Sequence, residues 1–220
     1  LLMSEENTSY RQIMKATSIF GGVQVINIII SIVRSKFVAV LLGPGGMGIY
    51  GLFTSTTGLI EKITNLGLST SAVRNVAAAN ASGDRSRIGT VVSVLRRLVW
   101  ITGIAGALFT FFAAPWLSDL TFSNRDYTIG FRWVAVTLLI TQITAGQMVV
   151  LQGMRQINYL ARANLAGSVA GLVISVPIYY IWGLDGIVPA IIVSSIVALL
   201  ISWYFSSKVS IERVRVDKKT

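Results

Sequence analysis

The sequence contains neither histidine nor cysteine among its 220 residues. Without histidine, this chain cannot contain a Ser-His-Asp triad, a histidine-ligated metal or a histidine proton switch. Without cysteine, it has no disulfides, no thiolate nucleophiles and no cysteine-type zinc sites. Much of the usual chemistry of enzymes is therefore excluded, and we expect neither an enzyme nor a metal or other cofactor.

Charged residues are also scarce. They make up 13% of the chain, while hydrophobic residues make up 53% and the mean hydropathy is +0.69; soluble domains carry about 25% charged residues. This composition predicts a membrane protein. The glycine-rich run at 43–48 lacks the Gly-Lys-Ser/Thr ending of a phosphate-binding loop, so we interpret it as a turn and expect no ATP hydrolysis. The few acidic residues form no catalytic pair.

Six apolar runs are long enough to cross a bilayer, which takes about 20 residues at about 1.5 Å each. They are residues 16–42, 48–71, 91–114, 129–152, 164–182 and 187–205. The pattern predicts an all-α, integral membrane six-helix bundle over residues 15–207. An N-terminal segment (1–14) precedes it and a basic tail (208–220) follows. The start of the chain is acidic, so we interpret the first run as a retained helix and not as a signal peptide.

Lysine and arginine are distributed unevenly between the two sides of this bundle. With both termini inside, the predicted inner side holds 14 of the 19 basic residues, and only Arg125 and Arg132 lie outside. The positive-inside rule therefore predicts cytoplasmic termini. This bias explains most of the net charge of +10, so no nucleic-acid partner is expected. The basic tail is interpreted as an orientation signal or a contact with anionic membrane lipids.

A stripe of polar side chains crosses the first span. Its members are Gln24, Asn27, Ser31 and Arg34. They are spaced three, four and three residues apart, so they lie on one face of a helix. A mid-membrane arginine costs roughly 2.5 to 3.5 kcal/mol on insertion scales, so it needs a partner or water. We interpret the stripe as the wall of an aqueous cavity. Snorkelling of Arg34 toward the outer headgroups is the alternative.

A second stripe occupies the second span, with members four, three and four residues apart: Thr54, Gly58, Glu61 and Asn65. Glu61 and Lys62 are candidates for gating the inner opening or binding a coupling ion, although they could simply offset each other's charge. Weaker stripes in the fourth and fifth spans favour helix packing over ligand binding, with Gly167 and Gly171 as a close-packing seam.

Three segments of the sequence resemble a known transporter family. They are RSKFVAVLLGPGGMGIYGL from Arg34, NLGLSTSAVRN from Asn65 followed by Ser82-Gly-Asp, and WGLDGIVPA from Trp182. The first two are similar to the first helices of Wzx-type polysaccharide (O-antigen) flippases. Multidrug and toxin extrusion transporters and lipid II flippases belong to the same superfamily.

The resemblance implies one half of a two-bundle, alternating-access transporter. This chain resembles the amino-terminal bundle, so a second six-helix half, in the same or a separate chain, is an implied partner. In the lipid-flipping branch a cationic residue on the first helix contacts the diphosphate of the lipid carrier, and the matching position is Arg34. The first span carries none of the acidic residues usual in the drug-extruding branch.

These observations favour a flippase half for a polyprenyl-diphosphate-linked oligosaccharide, used in polysaccharide or lipopolysaccharide biosynthesis. It would act in the bacterial inner membrane, from the cytoplasmic to the periplasmic face. Arg34 would bind the diphosphate, and Gln24, Asn27 and Ser31 would face water or sugar. Two alternatives stay open: a cation-coupled drug or toxin extruder, and a non-transporting scaffold subunit.

Overall fold

The computed structural model describes the backbone of residues 2–65 and 67–209, and the side chains of Met14, Ser18, 21–65 and 67–209. Within these residues every regular element is a helix: α1 (Leu2–Asn65), α2 (Leu68–Ala81), α3 (Arg85–Phe122), α4 (Thr128–Gly153), α5 (Ile157–Trp182), a 3-10 helix (Gly183–Gly186) and α6 (Ile187–Ser207). The predicted all-α class is confirmed. Most of the predicted basic tail lies outside the described residues.

Four segments of the described chain are long and apolar enough to cross a membrane: Gly21–Asn65, Arg85–Phe122, Thr128–Gly153 and Ile157–Ser207. Many large apolar side chains on them are exposed, including Val40 at 73% and Phe112 at 75%. So much exposed apolar surface suits lipid and not water. The chain is therefore a multi-pass membrane protein. The first and last segments are interrupted, at Gly43 and at the 3-10 helix, and the predicted count of six spans stays a prediction.

Helix α1 is interrupted at Gly43, whose φ of 69° and ψ of −175° are not helical. Essentially only glycine adopts this backbone conformation. Pro44 follows directly and cannot donate a backbone hydrogen bond. We call residues 2–42 the first arm of α1 and residues 44–65 its second arm.

Contacts with α5 show that the chain reverses at this kink. Arg34 donates a hydrogen bond to the carbonyl of Ser168, and a Cβ on Gly46 would lie 2.7 Å from Leu184. Tyr50 then lies back beside Tyr179, with ring centroids 6.4 Å apart. The first arm therefore runs parallel to α5 and the second arm returns, as the turn at 43–48 predicted.

The bundle has two ends, named here by residues of α1. The Gly43 end contains the kink, the 3-10 helix and an aromatic cluster in which Phe53 packs on Phe122, Tyr127 and Phe131. The Asn65 end contains α2, the connection between α4 and α5, and the end of α6. There a second core cluster joins α2, α3 and α4. Each long helix thus connects one end with the other.

Glycines set the distance between α4 and its neighbours. A Cβ on Gly146 would lie 2.8 Å from Val99 of α3, and one on Gly153 would lie 2.6 Å from Val76 of α2. Both glycines lie on α4, which also packs extensively against α6. Close backbone approach of this kind is typical of membrane helix bundles, where apolar side chains gain nothing by leaving lipid.

Two predicted boundaries were wrong. The third span was predicted to end at Pro115, but α3 continues to Phe122, where the buried Ser118 hydroxyl donates to the carbonyl of Asn124 at 2.8 Å. The second was predicted to reach Ser71, but α1 ends at Asn65 and α2 starts after Gly67, which has a φ of 70°. Helix α2 buries three apolar side chains, and its residues beyond Ser71 lie outside the predicted spans.

Replacing Gly43 with alanine is expected to lower the thermal stability of the purified protein, because an L side chain in this conformation costs about 1 to 3 kcal/mol. Gly45→Ala is the matched control. A Cβ at either position would meet no atom within 4 Å, and only Gly43 of the two has a positive φ. Thermal unfolding in detergent should show a lower midpoint for Gly43→Ala alone. An equal loss in both variants would contradict this account of the kink.

Candidate functional site

Arg34 lies at the seam between the first arm of α1 and α5. Its Nη2 donates a hydrogen bond to the backbone carbonyl of Ser168, 3.2 Å away. A Cβ on Gly171, three residues further along α5, would lie 2.8 Å from the same Nη2. Glycine at 171 thus provides the space in which the guanidinium reaches the backbone of α5.

Most of the hydrogen-bonding capacity of Arg34 is unused. A guanidinium has five N–H donors, and the bond to Ser168 is its one hydrogen bond to another described residue. Its Nε is buried and has no partner among those residues. Among the described residues, no acidic side chain forms an ion pair with Arg34. The guanidinium therefore keeps both its charge and its donors available for an anion or water.

Asn27 belongs to the same stripe as Arg34 and is also partly buried. It lies seven residues earlier, two helical turns away on the same face, and its Oδ1 is also buried without a partner among the described residues. A buried polar atom that lacks a partner costs about 1 to 3 kcal/mol. Two such atoms on one face indicate a place that water or a polar ligand completes.

The other two members of the first stripe lie differently. Gln24 and Ser31 are exposed, whereas Asn27 and Arg34 are partly buried. The stripe is thus divided between partly buried and exposed positions of the first arm. The Arg34 guanidinium turns toward the backbone of α5.

Two members of the second stripe make hydrogen bonds to residues close by in the sequence. Thr54 donates to the carbonyl of Tyr50 at 2.9 Å, and Asn65 donates to the hydroxyl of Ser69 at 2.8 Å. A Cβ on Gly58 would meet nothing within 4 Å. Thr54 and Asn65 therefore serve local structure in the described chain.

Glu61 and Lys62 are not paired with each other. Glu61 is partly buried and Lys62 is exposed, and they form no ion pair within 4.0 Å in the described residues. Neighbouring helical residues point about 100° apart, so their side chains diverge. Both remain candidates for gating or ion binding, and the structure does not place either one in contact with Arg34.

The polar stripe of α5 packs against α1. Gly171, Ser175 and Tyr179 are buried, and the Tyr179 ring meets Tyr50 edge to face. The small residues at 167 and 171 indicated that another helix comes close to α5. They could not show that α6 lies beside Gly167 while both α1 and α6 approach Gly171, nor that the Ser168 carbonyl is the partner of Arg34.

Replacing Gly171 with alanine is expected to displace the Arg34 guanidinium from Ser168, because the new Cβ would occupy its place. Arg34 is flexible at this end, so we expect loss of the hydrogen bond and not unfolding. Modification by phenylglyoxal, followed by mass spectrometry, should increase at Arg34 and stay constant at the other arginines. Gly167→Ala is the control, since its Cβ would lie 4.0 Å from Ala198, an ordinary contact. Unchanged reactivity of Arg34 in Gly171→Ala would contradict this geometry.

Comparison with known proteins adds one match. A family profile described as "Polysaccharide biosynthesis protein" matches residues 13–220. No curated protein matches the chain. No solved structure matches it either.

Proposed function

Because this chain belongs to the polysaccharide biosynthesis protein family, we propose that it is a flippase bundle for a polyprenyl-diphosphate-linked oligosaccharide. The lipid-linked sugar would cross from the cytoplasmic to the periplasmic face of a bacterial inner membrane, for O-antigen or a similar surface polysaccharide. The observation that carries this proposal is the partly buried guanidinium of Arg34 on a membrane-spanning helix, which has no acidic partner among the described residues.

The diphosphate is the chemical group that best fits Arg34. Guanidinium donors match phosphate oxygens in pairs, and such charge-assisted bonds are roughly twice as strong as neutral ones. Partial burial strengthens the attraction further, because water screens the two charges less. The bond to Ser168 uses one Nη2 donor and holds the group against α5. The buried Nε and the remaining donors are left for the ligand.

The neighbours of Arg34 suit the sugar side of such a substrate. Gln24 and Ser31 are exposed on the same arm, and their amide and hydroxyl groups can bond sugar hydroxyls. Asn27 has a buried Oδ1 without a described partner. This atom would hold an ordered water or a substrate hydroxyl beside the phosphate.

A second six-helix half would complete the cavity. Arg34 of the first arm contacts α5, and other faces of this arm expose Val25, Ile29 and Ile32. In an alternating-access transporter these faces would be shared between lipid and the second half. Since the sequence offers no phosphate-binding loop, movement would be driven by the substrate gradient or by a coupled ion and not by ATP hydrolysis.

The distribution of charge supports cytoplasmic termini. Seven exposed arginines lie toward the Asn65 end: Arg74, Arg85, Arg87, Arg96, Arg97, Arg155 and Arg162. The Gly43 end has Arg125 and Arg132. The positive-inside rule then assigns the Asn65 end to the cytoplasm.

Removing the guanidinium of Arg34 is the most direct test of the flippase proposal. In cells whose surface polysaccharide depends on the complete transporter, Arg34→Ala should reduce polysaccharide export by roughly 10 to 100-fold, the effect of losing about 1.5 to 3 kcal/mol of charged hydrogen bonding. Arg34→Lys should restore part of it, because an ammonium keeps the charge but not the paired geometry.

Lys36→Ala is the matched control, since Lys36 is an exposed cation two residues away on another face. Its polysaccharide should be normal at equal membrane abundance. Normal export by Arg34→Ala would refute the role of Arg34.

A cation-coupled extruder is the second candidate function, because Glu61 is an acidic residue partly buried within a span. That function predicts proton- or sodium-dependent efflux of a cationic dye from vesicles, abolished by Glu61→Gln and retained by Lys62→Gln. If the chain is a flippase instead, neither variant should affect a dye that the wild type does not move. A scaffold subunit would tolerate every one of these substitutions.

A further inference from the structure

A groove opens between α3 and α6, at a distance from the Arg34 seam. Both helices pack extensively on α4 and not on each other. The gap forms a cavity of about 360 Å³ toward the Asn65 end, floored by Gly146, Gln147 and Val150 of α4. We call this cavity the α3–α6 groove. Its volume lies within the roughly 300 to 1,000 Å³ typical of small-molecule sites.

The polar lining of the groove suits an anion. Arg96 contributes a guanidinium, and Ser93, Ser206 and Ser207 contribute hydroxyls. No lining residue is acidic, and Arg96 forms no ion pair with any acidic side chain that the structure describes. Gln147 accepts a hydrogen bond from Ser202, which leaves its amide N–H groups free to donate. A cation and several donors therefore face this space without a negative partner.

The remaining lining is apolar and faces the membrane. Trp100 and Trp203, one from each wall, are 50% and 63% exposed. Indole rings favour the headgroup layer of a bilayer, where one edge is wet and the face is apolar. Leu95, Val99 and Val150 continue the apolar lining. The groove thus offers a polar, cationic part and an apolar part to the same ligand.

We propose that the α3–α6 groove binds an anionic phospholipid, with its phosphate at Arg96 and its acyl chain between Trp100 and Trp203. Free phosphate would use the polar part alone, whereas zwitterionic phosphatidylcholine would bring its phosphate together with a cationic choline that offsets the attraction to Arg96. The groove lies at the basic end of the bundle, which the charge distribution assigns to the cytoplasmic leaflet. Lipid binding there is independent of the substrate site at Arg34.

Tryptophan quenching by brominated lipid tests this proposal. The protein would carry Trp116→Phe, Trp133→Phe and Trp182→Phe, so that the measured fluorescence comes from Trp100 and Trp203 alone. Reconstituted into phosphatidylcholine vesicles, it is exposed to increasing fractions of brominated phosphatidylglycerol or brominated phosphatidylcholine. We expect phosphatidylglycerol to quench with about fivefold higher relative affinity, the equivalent of about 1 kcal/mol for one basic residue near an anionic lipid.

Arg97 supplies the matched control, because it is exposed like Arg96 and does not line the groove. Arg96→Gln should abolish the preference for phosphatidylglycerol, and Arg96→Lys should retain most of it. Arg97→Gln should keep the wild-type preference. Equal loss in the Arg96→Gln and Arg97→Gln variants would indicate diffuse surface charge and overturn the site.

Two further outcomes would also overturn the proposal. Equal quenching by both lipids in the parent protein would show that the groove does not select an anion. Loss of the preference on adding inorganic phosphate would show that a free anion, and not a lipid, occupies the polar part. A preference that survives added phosphate supports the lipid. None of these measurements depends on transport, so a failure of the flippase proposal would not change their interpretation.

Discussion

Satisfying every backbone polar group without water is the constraint on which this architecture depends. In hydrocarbon an unpaired N–H or C=O costs several kcal/mol, so a spanning chain must be helical or form a closed barrel. The described chain is helical nearly throughout, and its longest interruptions lie at the ends of the bundle. Gly43 and the 3-10 helix both lie at such an end. The hydrophobic sequence therefore has few architectures available to it.

Within such a bundle, polar side chains decide where chemistry can occur. Thr54 and Thr57 bond to carbonyls of their own helix and need nothing else. Arg34 and Asn27 retain buried atoms without described partners. Thr110 and Gln142 also have a buried atom without a described partner, but Arg34 alone of these four residues is charged. Because such a deficit is costly in a low dielectric, an anion or water gains by entering at Arg34.

Glycine makes the α1–α5 seam possible. Gly171 provides the space for the guanidinium of Arg34, just as Gly103 and Gly146 allow α3 and α4 to approach closely. The space that glycine provides is occupied differently at these two places. Between α3 and α4 the space is filled by apolar side chains, whereas at Gly171 it holds a cation that remains available. The α3–α6 groove shows a third situation, in which helices stay apart and two indole rings flank the opening.

The sequence by itself determined the helical class, the membrane location and the turn at Gly43, because hydropathy and glycine or proline act locally along the chain. It also indicated Arg34 as the unusual residue, since a cation inside an apolar run is costly wherever its neighbours lie. It could not determine that α3 continues through Pro115, because tertiary contacts at Leu117 and Ser118 offset the lost backbone bond.

The pairing of Arg34 with the Ser168 carbonyl and the α3–α6 groove were likewise decided only by tertiary structure. Each depends on which helix faces which, and helix spacing in sequence does not contain that information. Apolar faces of similar composition pack almost equally well in lipid. The choice among them comes from the close fit of small residues, and that fit exists only once the helices are assembled.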